Sequence, residues 1–582
     1  MKRYQPYDSI SFLNEFRGKD FTGEWPTVPE MFSISVKRFP DRPCFTDFDG
    51  AGGKKRTWTY SQALDAILRL ASWMNENGVM HGDRVAVSGK NSPEWAIVYL
   101  AALFAGAIIC PMDYALHAEE LENLLSRAEP KFFFVDDEKY AHFTEKEYPF
   151  GVYSLNVKQK TKEKYVLDLA ATKAPSIQSA TIEETAAILF TSGTTGIPKG
   201  VMLSHKNLVS DTYIAQTHMH LYETDVFYAL LPIHHAYTML AVFMETISVG
   251  AEVVFAKSMS VSRMMKELKE GKITMLLGVP MLFNKLASGI IKGMKEKGFF
   301  VYGILKLLMG WSYFCKCVFH VNPGKKIFHA VLDKASIATI RIAICGGGPL
   351  AKSVFKFYNQ MGIDFVQGYG LTETSPIIAL NPVEHFKIQS VGRYFKDYME
   401  MKIDNPNENG IGEICVRGPM IMQGYYKMPE ETASVLSDDG WFKTGDLGWL
   451  DKEDYLMLSG RSKNMIVTEG GKNVYPEEIE DSFQLETDIQ QITVQGYIAN
   501  EATKSEELEA LIYPSDELLK RLNIVREDTS ADTKKTIASS VQEVVDRVNK
   551  KLLPYQRISK ITVLDSPLEM TTTLKVKRNY KK

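Results

Sequence analysis

The run Leu189-Phe190-Thr191-Ser192-Gly193-Thr194-Thr195-Gly196-Ile197-Pro198-Lys199-Gly200 combines three things a polyphosphate requires. Gly193 and Gly196 free backbone N–H groups for close approach, Thr191, Ser192, Thr194 and Thr195 offer hydroxyl donors, and Lys199 adds a cation. The order is not that of a Walker loop, because Lys199 is followed by Gly200 and not by Ser or Thr. A flexible surface turn is the bland alternative.

Such a loop needs a rigid strand before it and a layered frame around it. Helical and strand patterns alternate along the chain, the signature of α/β layers with mostly parallel sheets. Leu64 to Met74 has helical spacing and leads through Gly82-Asp83 to the strand Arg84–Ser88. Glu119 to Arg127 feeds the strand Lys131–Val135, and Leu350 to Gln360 feeds Asp364–Val366. Each pair suits a parallel crossover. After Gly460-Arg461-Ser462-Lys463 the composition turns charged and poor in aromatics. The expected division is a body over 1–459 with two or three subdomains, a hinge at 460–463 and a small α+β lid over 464–582.

The 582 residues allow about three to six structural units, and 45% apolar with 24% charged residues is ordinary globular usage. Lys+Arg 68 against Asp+Glu 71 leaves a net charge of −3, with no basic field for nucleic acid. Six cysteines, mostly inside apolar runs, predict a reducing compartment and no disulfide framework. Met1 to Ser35 carries four acids and no uninterrupted apolar stretch, so no secretory signal is expected and the mature protein is read as starting near Met1. A cytoplasmic location follows, with peripheral contact at the cytoplasmic membrane face left open.

Further motifs occur in a fixed order. Gly82-Asp83-Arg84-Val85-Ala86, Ala105-Gly106-Ala107, Leu231-Pro232-Ile233-His234-His235-Ala236-Tyr237, Gly346-Gly347-Gly348-Pro349-Leu350, Gln367-Gly368-Tyr369-Gly370-Leu371-Thr372-Glu373-Thr374, Lys443-Thr444-Gly445-Asp446, Gly460-Arg461, the run from Gly470-Gly471-Lys472 to Glu480, and Thr573-Leu574-Lys575-Val576-Lys577-Arg578 follow the glycine-rich loop. Together they resemble the adenylate-forming superfamily of acyl-CoA synthetases, luciferases and peptide-synthetase adenylation domains, over roughly Thr57 to Arg578. The bacterial long-chain fatty acyl-CoA synthetases are the most similar type.

The resemblance implies ATP, Mg²⁺ and CoA chemistry, and it distributes roles. Thr191 to Gly196 and Lys199 would hold the ATP phosphates. Gly347, Gly348, Pro349, Gln367, Gly368, Tyr369 and Gly370 would surround adenine, with the Tyr369 ring as a stacking face. Asp446 would accept from the ribose diol beside Arg461, a buried structural aspartate being the alternative. Glu373 is a hard oxygen ligand suited to Mg²⁺, and Thr372 offers a hydroxyl to the α-phosphate. His235 would touch phosphate or the acyl entrance, unless it is a satisfied core histidine. His234, Tyr237 and Ala241 would line the acyl pocket, Gly470 and Gly471 the CoA channel, and Lys463 the hinge. Lys575 would stabilise the charge on a pentavalent phosphorus, although Leu574 stands where glycine is usual and resists φ > 0.

The implied reaction joins a fatty acid to AMP with release of pyrophosphate, then moves the acyl group to CoA. An acyl carrier protein is the alternative acceptor, and a catalytically idle lipid-binding or membrane-organising protein is the rival of another class. A peptide-synthetase unit is disfavoured because the chain ends seven residues after Lys575. The apolar segment 289–335, above all Phe299 to Phe319, is read either as an interfacial membrane helix or acyl-entry wall or as a buried core helix. Spanning a bilayer there would split the strand series. Cys315 and Cys317 within it are expected to pack and not to bind metal.

Overall fold

Caps written into the sequence set where the helices begin. In Thr59-Tyr60-Ser61-Gln62 the Gln62 N–H donates to Thr59 Oγ1 at 3.2 Å and the Thr59 N–H to Gln62 Oε1 at 2.9 Å, a reciprocal box. The helix Tyr60–Glu76 follows, burying Ala63, Ala66, Ile67, Leu70, Ala71 and Met74. Ser92 caps Pro93–Phe104, which is buried on every side. A helix apolar all round must lie inside, and this one touches Pro43–Gly50 of one large sheet and Ile108–Pro111 of the other. The structure, a computed structural model, describes residues 4–50, 53–156, 164–172, 180–191, 198–348, 350–467, 472–500, 505–528 and 530–570.

One sheet has seven strands in the order Gly424–Tyr425, Lys199–Ser204, Thr185–Thr191, Ile108–Pro111, Arg84–Ser88, Phe132–Val135, Gly151–Ser154. Its last five strands are mutually parallel, while Lys199–Ser204 returns antiparallel from Thr185–Thr191. The second has nine strands, with Pro43–Gly50, Glu252–Phe255, Val226–Ala229, Met275–Gly278, Ile342–Cys345 and Asp364–Gly370 as its parallel centre. Antiparallel Ile377–Leu380 continues it beside Asp364–Gly370. A four-stranded antiparallel sheet holds Glu400–Asp404, Gly412–Arg417, Phe442–Leu450 and Leu456–Arg461. These elements share one large buried cluster running from Leu13 to Leu456. The remaining strands, Ile489–Asn500, Ser505–Pro514 and Lys560–Val563, pack with Ala531–Asn549 over a separate cluster from Ile466 to Ile558.

Phe299–Phe319 forms one helix of 21 residues. No helix among the described residues is long and apolar enough to cross a membrane. The two lysines that the helical wheel separates by about 80° take opposite surroundings. Lys306 is exposed, whereas Lys316 is buried and donates to Asn359 Oδ1 at 2.6 Å and Asp364 Oδ1 at 2.7 Å. Cys315 is buried and Cys317 exposed.

Two carboxyls lie deep in the core. Asp211 accepts the Ile377 N–H at 2.9 Å, and no hydrogen bond among the described residues reaches either oxygen of Glu245. Burial pushes both well above the usual carboxyl range, and for Glu245 the nearby Asp211 adds to the rise. The native state therefore holds Glu245 protonated while the unfolded chain ionises it above about pH 4.5. Stability from this group is present below that pH and falls as pH rises, by up to about 1.4 kcal/mol per pH unit. Glu245→Gln, which does not titrate, should gain stability over the parent steadily from pH 4.5 to 8 in urea unfolding; a pH-independent difference would show that Glu245 is ionised in the fold.

Candidate active site

The strand Asp364–Gly370 ends where the polar side chains gather. Glycine closes it because a Cβ on Gly370 would lie 1.5 Å from the Pro376 carbonyl oxygen, a contact no other residue tolerates. Tyr369, one residue earlier, donates its phenol to Asp446 Oδ2 at 2.7 Å. Asp446 is buried, with Thr444 Oγ1 accepting its N–H at 3.1 Å and donating to Ile414 O at 2.8 Å. Across the ladder Asp446 faces Arg461, whose Nε lies 3.1 Å from Asp446 Oδ1. Asp446 raises the Arg461 pKa, and burial, followed by the Asp446 charge, pushes the Tyr369 phenol well up. A neutral phenol and a guanidinium thus hold one carboxylate from two sheets.

Beyond the strand, the short turn Thr372–Thr374 presents Glu373. Its Oε1 accepts the Tyr425 hydroxyl at 2.9 Å and its backbone carbonyl accepts the Met422 N–H at 2.9 Å. Tyr425 belongs to the two-residue strand paired with Lys199–Ser204 in the register Tyr425 to Val201. Lys199 Nζ sits 4.7 Å from the centroid of the Tyr425 ring, a cation–π arrangement. One tyrosine therefore links the lysine of the glycine-rich loop to the acid at the end of the other sheet. Nothing in the sequence marks Tyr425 for this: it lies in no motif, and its partners are 226 and 52 positions away. Thr191 closes the loop's first strand, donating to Lys199 O at 3.4 Å.

A second polar set borders the segment Leu231–Tyr237. Asn91 clamps that segment by donating to Ala229 O and Leu231 O, both at 2.8 Å, and accepting the Ile233 N–H at 2.9 Å. His234 is buried with Nε2 3.5 Å from Asp113 Oδ1, and its ring centroid is 4.2 Å from that of His235. Ligand atoms of Asp113, His234 and His235 all lie within 4.8 Å of one another, the only described residues so grouped, so these three could hold a divalent cation. Tyr237 turns inward, donating to Ile344 O at 3.0 Å with its ring against Gly346. Ala241 is buried in the π-helical turn Met239–Met244, a departure from α geometry that concentrates at functional sites. Gly347 takes φ +80 and Gly348 lies beside Pro280. Gln367 is buried in register with Cys345, and Gly368 faces Leu380.

After Arg461 the chain makes the turn Ser462–Asn464. Burial, then the Arg461 charge, lowers the Lys463 pKa. Asn464 donates to Glu477, and a Cβ on Gly460 would meet Glu477 Oε2 at 2.9 Å and Tyr475 at 3.1 Å, so the helix Pro476–Asp481 rests on bare backbone. Gln484 Oε1 accepts the Ala351 N–H at 2.8 Å. Ser192, Gly193, Thr194, Thr195, Gly196, Pro349, Gly470, Gly471, Leu574 and Lys575 lie outside the described residues.

The AMP-binding enzyme family matches residues 32–426, more than half of the chain, and the protein belongs to that family. Curated relatives include long chain acyl-CoA synthetase 1 of Arabidopsis thaliana, 29% identical over 98% of this chain and 93% of the relative. A long-chain-fatty-acid–CoA ligase of Bacillus subtilis is 29% identical over 81% and 82%. A chloroplastic long-chain-fatty-acid–[acyl-carrier-protein] ligase of Arabidopsis thaliana is 27% identical over 96% and 85%. Among solved structures, the anthranilate CoA ligase AuaEII in complex with anthranoyl-AMP aligns with a TM-score of 0.75 at 17% identity, covering 95% of this chain and 96% of that one. The O-succinylbenzoate CoA synthetase of Bacillus subtilis in complex with ATP and magnesium aligns at 0.69 and 22%, over 94% and 98%. These two likenesses establish the adenylate-forming fold.

Tyr425→Phe keeps the ring beneath Lys199 and removes the hydroxyl from Glu373. One hydrogen bond to a charged group contributes about 1.5–3 kcal/mol, so carboxylate-dependent pyrophosphate release should fall about tenfold while the unfolding temperature barely moves. An unaltered rate would mean that the phenol does not position Glu373.

Proposed function

We propose that the chain is an ATP-dependent fatty acid–CoA ligase that prefers a long acyl chain. The observation carrying this reading is the convergence at one strand end of Tyr369–Asp446–Arg461 and Glu373–Tyr425–Lys199, polar sets drawn from three sheets. Lys199 and the hydroxyls from Thr191 to Thr195 hold the phosphates. Tyr369, Gln367 and the glycines 347, 348, 368 and 370 enclose the adenine with Pro349, and Asp446 takes the ribose diol with Arg461 behind it. Tyr425 occupies only Oε1 of the half-buried Glu373, and a carboxylate with an oxygen to spare suits Mg²⁺. When bound there, Mg²⁺ would neutralise phosphate charge.

The fatty carboxylate attacks the α-phosphorus, a new P–O bond forms, and the bond to pyrophosphate breaks. Thr372 and His235 lie toward that phosphate, while His234, Tyr237 and Ala241 flank the acyl entrance. Lys575 meets the crowded phosphorus. The separate cluster of 466–558 supports a lid over 464–582 that turns about 460–463, with Lys463 in the hinge, so that one domain serves both half-reactions. Gly470 and Gly471 then guide the CoA thiol to the acyl carbonyl, and AMP leaves. The named substrates of the Arabidopsis and Bacillus relatives support a long-chain acid, and the chloroplastic relative keeps an acyl carrier protein in view as the acceptor. The working location is cytoplasmic, peripheral on a membrane face.

Pyrophosphate release across carboxylates from acetate to C18, with CoA or acyl carrier protein supplied, tests the reading. A rate that rises with chain length and a CoA thioester product are expected; no release from any acid would favour an idle lipid-binding protein. Glu373→Gln should lower acyl-AMP formation most at limiting Mg²⁺, and undiminished formation there would remove Glu373 from the site. Lys575→Ala should slow acyl-AMP formation by about 10²–10³ and spare thioester formation from synthetic acyl-AMP. Equal losses in both half-reactions would make Lys575 a structural residue.

A further inference from the structure

The helix Phe299–Phe319 wears its apolar side outward. Phe300, Ile304, Leu307, Trp311, Phe314 and Val318 recur at spacings of four and three, which places them on one stripe, and each is between 53% and 85% exposed. The opposite face is the fixed one. Met309, Ser312, Cys315 and Lys316 are buried, Tyr302, Leu305 and Leu308 pack on the neighbouring core, and Lys316 is tied to Asn359 and Asp364. A contiguous exposed face of this kind marks a binding surface and is not ordinary surface scatter. Because one face is fastened along its length, the helix lies flat on the body.

Charge selects the occupant. Residues 285–335 contain nine lysines against two acids, Glu296 and Asp333, in a chain whose net charge is −3. Of these, Lys292, Lys295, Lys297, Lys306 and Lys326 are exposed, while Asp333 already lies 3.7 Å from Lys269. A second copy seated on the stripe would bring two lysine-rich surfaces together. A bilayer bearing anionic headgroups meets both the stripe and the lysines, with tryptophan at the boundary where its amphipathic ring is favoured.

We infer that Phe299–Phe319 docks flat on an anionic lipid surface, with the stripe from Phe300 to Val318 in the acyl boundary and the flanking lysines on the headgroups. The assignment of lipid deepens the fatty acid–CoA ligase reading and rests on it, since a long-chain acid is held in membranes.

The test is co-sedimentation of the full chain with vesicles of phosphatidylcholine alone and of phosphatidylcholine mixed with phosphatidylglycerol. The parent should bind the mixed vesicles preferentially and lose that preference in high salt. Trp311→Ser with Phe314→Ser should bind at least about tenfold more weakly, with unchanged unfolding and unchanged activation of octanoate. Lys295→Gln with Lys297→Gln and Lys306→Gln should abolish the lipid preference. Equal binding by the aromatic variant, indifference of the parent to phosphatidylglycerol, cooperative unfolding of the aromatic variant, or a parent dimer that the aromatic substitutions dissociate would each overturn the proposal. Failure of the ligase reading shows separately, as no pyrophosphate from any acid in a parent whose vesicle binding is read on its own.

Discussion

The carbonyl of Pro376 stands so close to Gly370 that the strand Asp364–Gly370 can end in one way only. That steric fact fixes the path from Gly368 to Glu373, and the site hangs from it. On one side the fixed path aims Tyr369 at Asp446 in the four-stranded sheet; on the other it delivers Glu373 to Tyr425 at the margin of the seven-stranded sheet. A shift of one residue along the strand would exchange the faces of its side chains and break both links together. Three sheets thus agree on one register, and the hydrogen bonds that record the agreement are few and short.

Those links also show how the core tolerates charge. Asp446 is buried, yet it is satisfied by the Tyr369 phenol and the Arg461 guanidinium, and the cost of removing it from water is met by partners already in place. Asp211 and Glu245 solve the same problem in the other way, by holding a proton. The difference lies in surroundings: Asp446 sits on a ladder opposite an arginine, while Glu245 is set among apolar side chains beside another acid.

Much of this was legible in the chain. The alternation of apolar periods gave the helix and strand pairs, and Arg84–Ser88 matches its predicted bounds. Asp364–Gly370 runs further than its apolar residues suggest, because glycines and a tyrosine continue the ladder by pairing with Ile377–Leu380. The family motifs brought Tyr369, Asp446 and Arg461 to notice before any contact between them was visible. Tyr425 escaped, since a two-residue strand has no periodicity and a lone tyrosine no chemical signature. The surroundings of Phe299–Phe319 escaped for a related reason. A helical wheel shows that Lys306 and Lys316 differ in direction, but which one is buried depends on Asn359 and Asp364, more than forty residues away.

The pairing of Asp446 with Arg461 has a mechanical side. Arg461 is the last residue of its strand, held both by the ladder and by its ion pair, and the turn Ser462–Asn464 begins at the next position. A cable clamped just before it bends passes no twist to the connection behind the clamp. Torsion applied to the chain from beyond residue 464 is likewise absorbed within three residues, and the geometry around Asp446 is insulated from whatever orientation the following domain adopts.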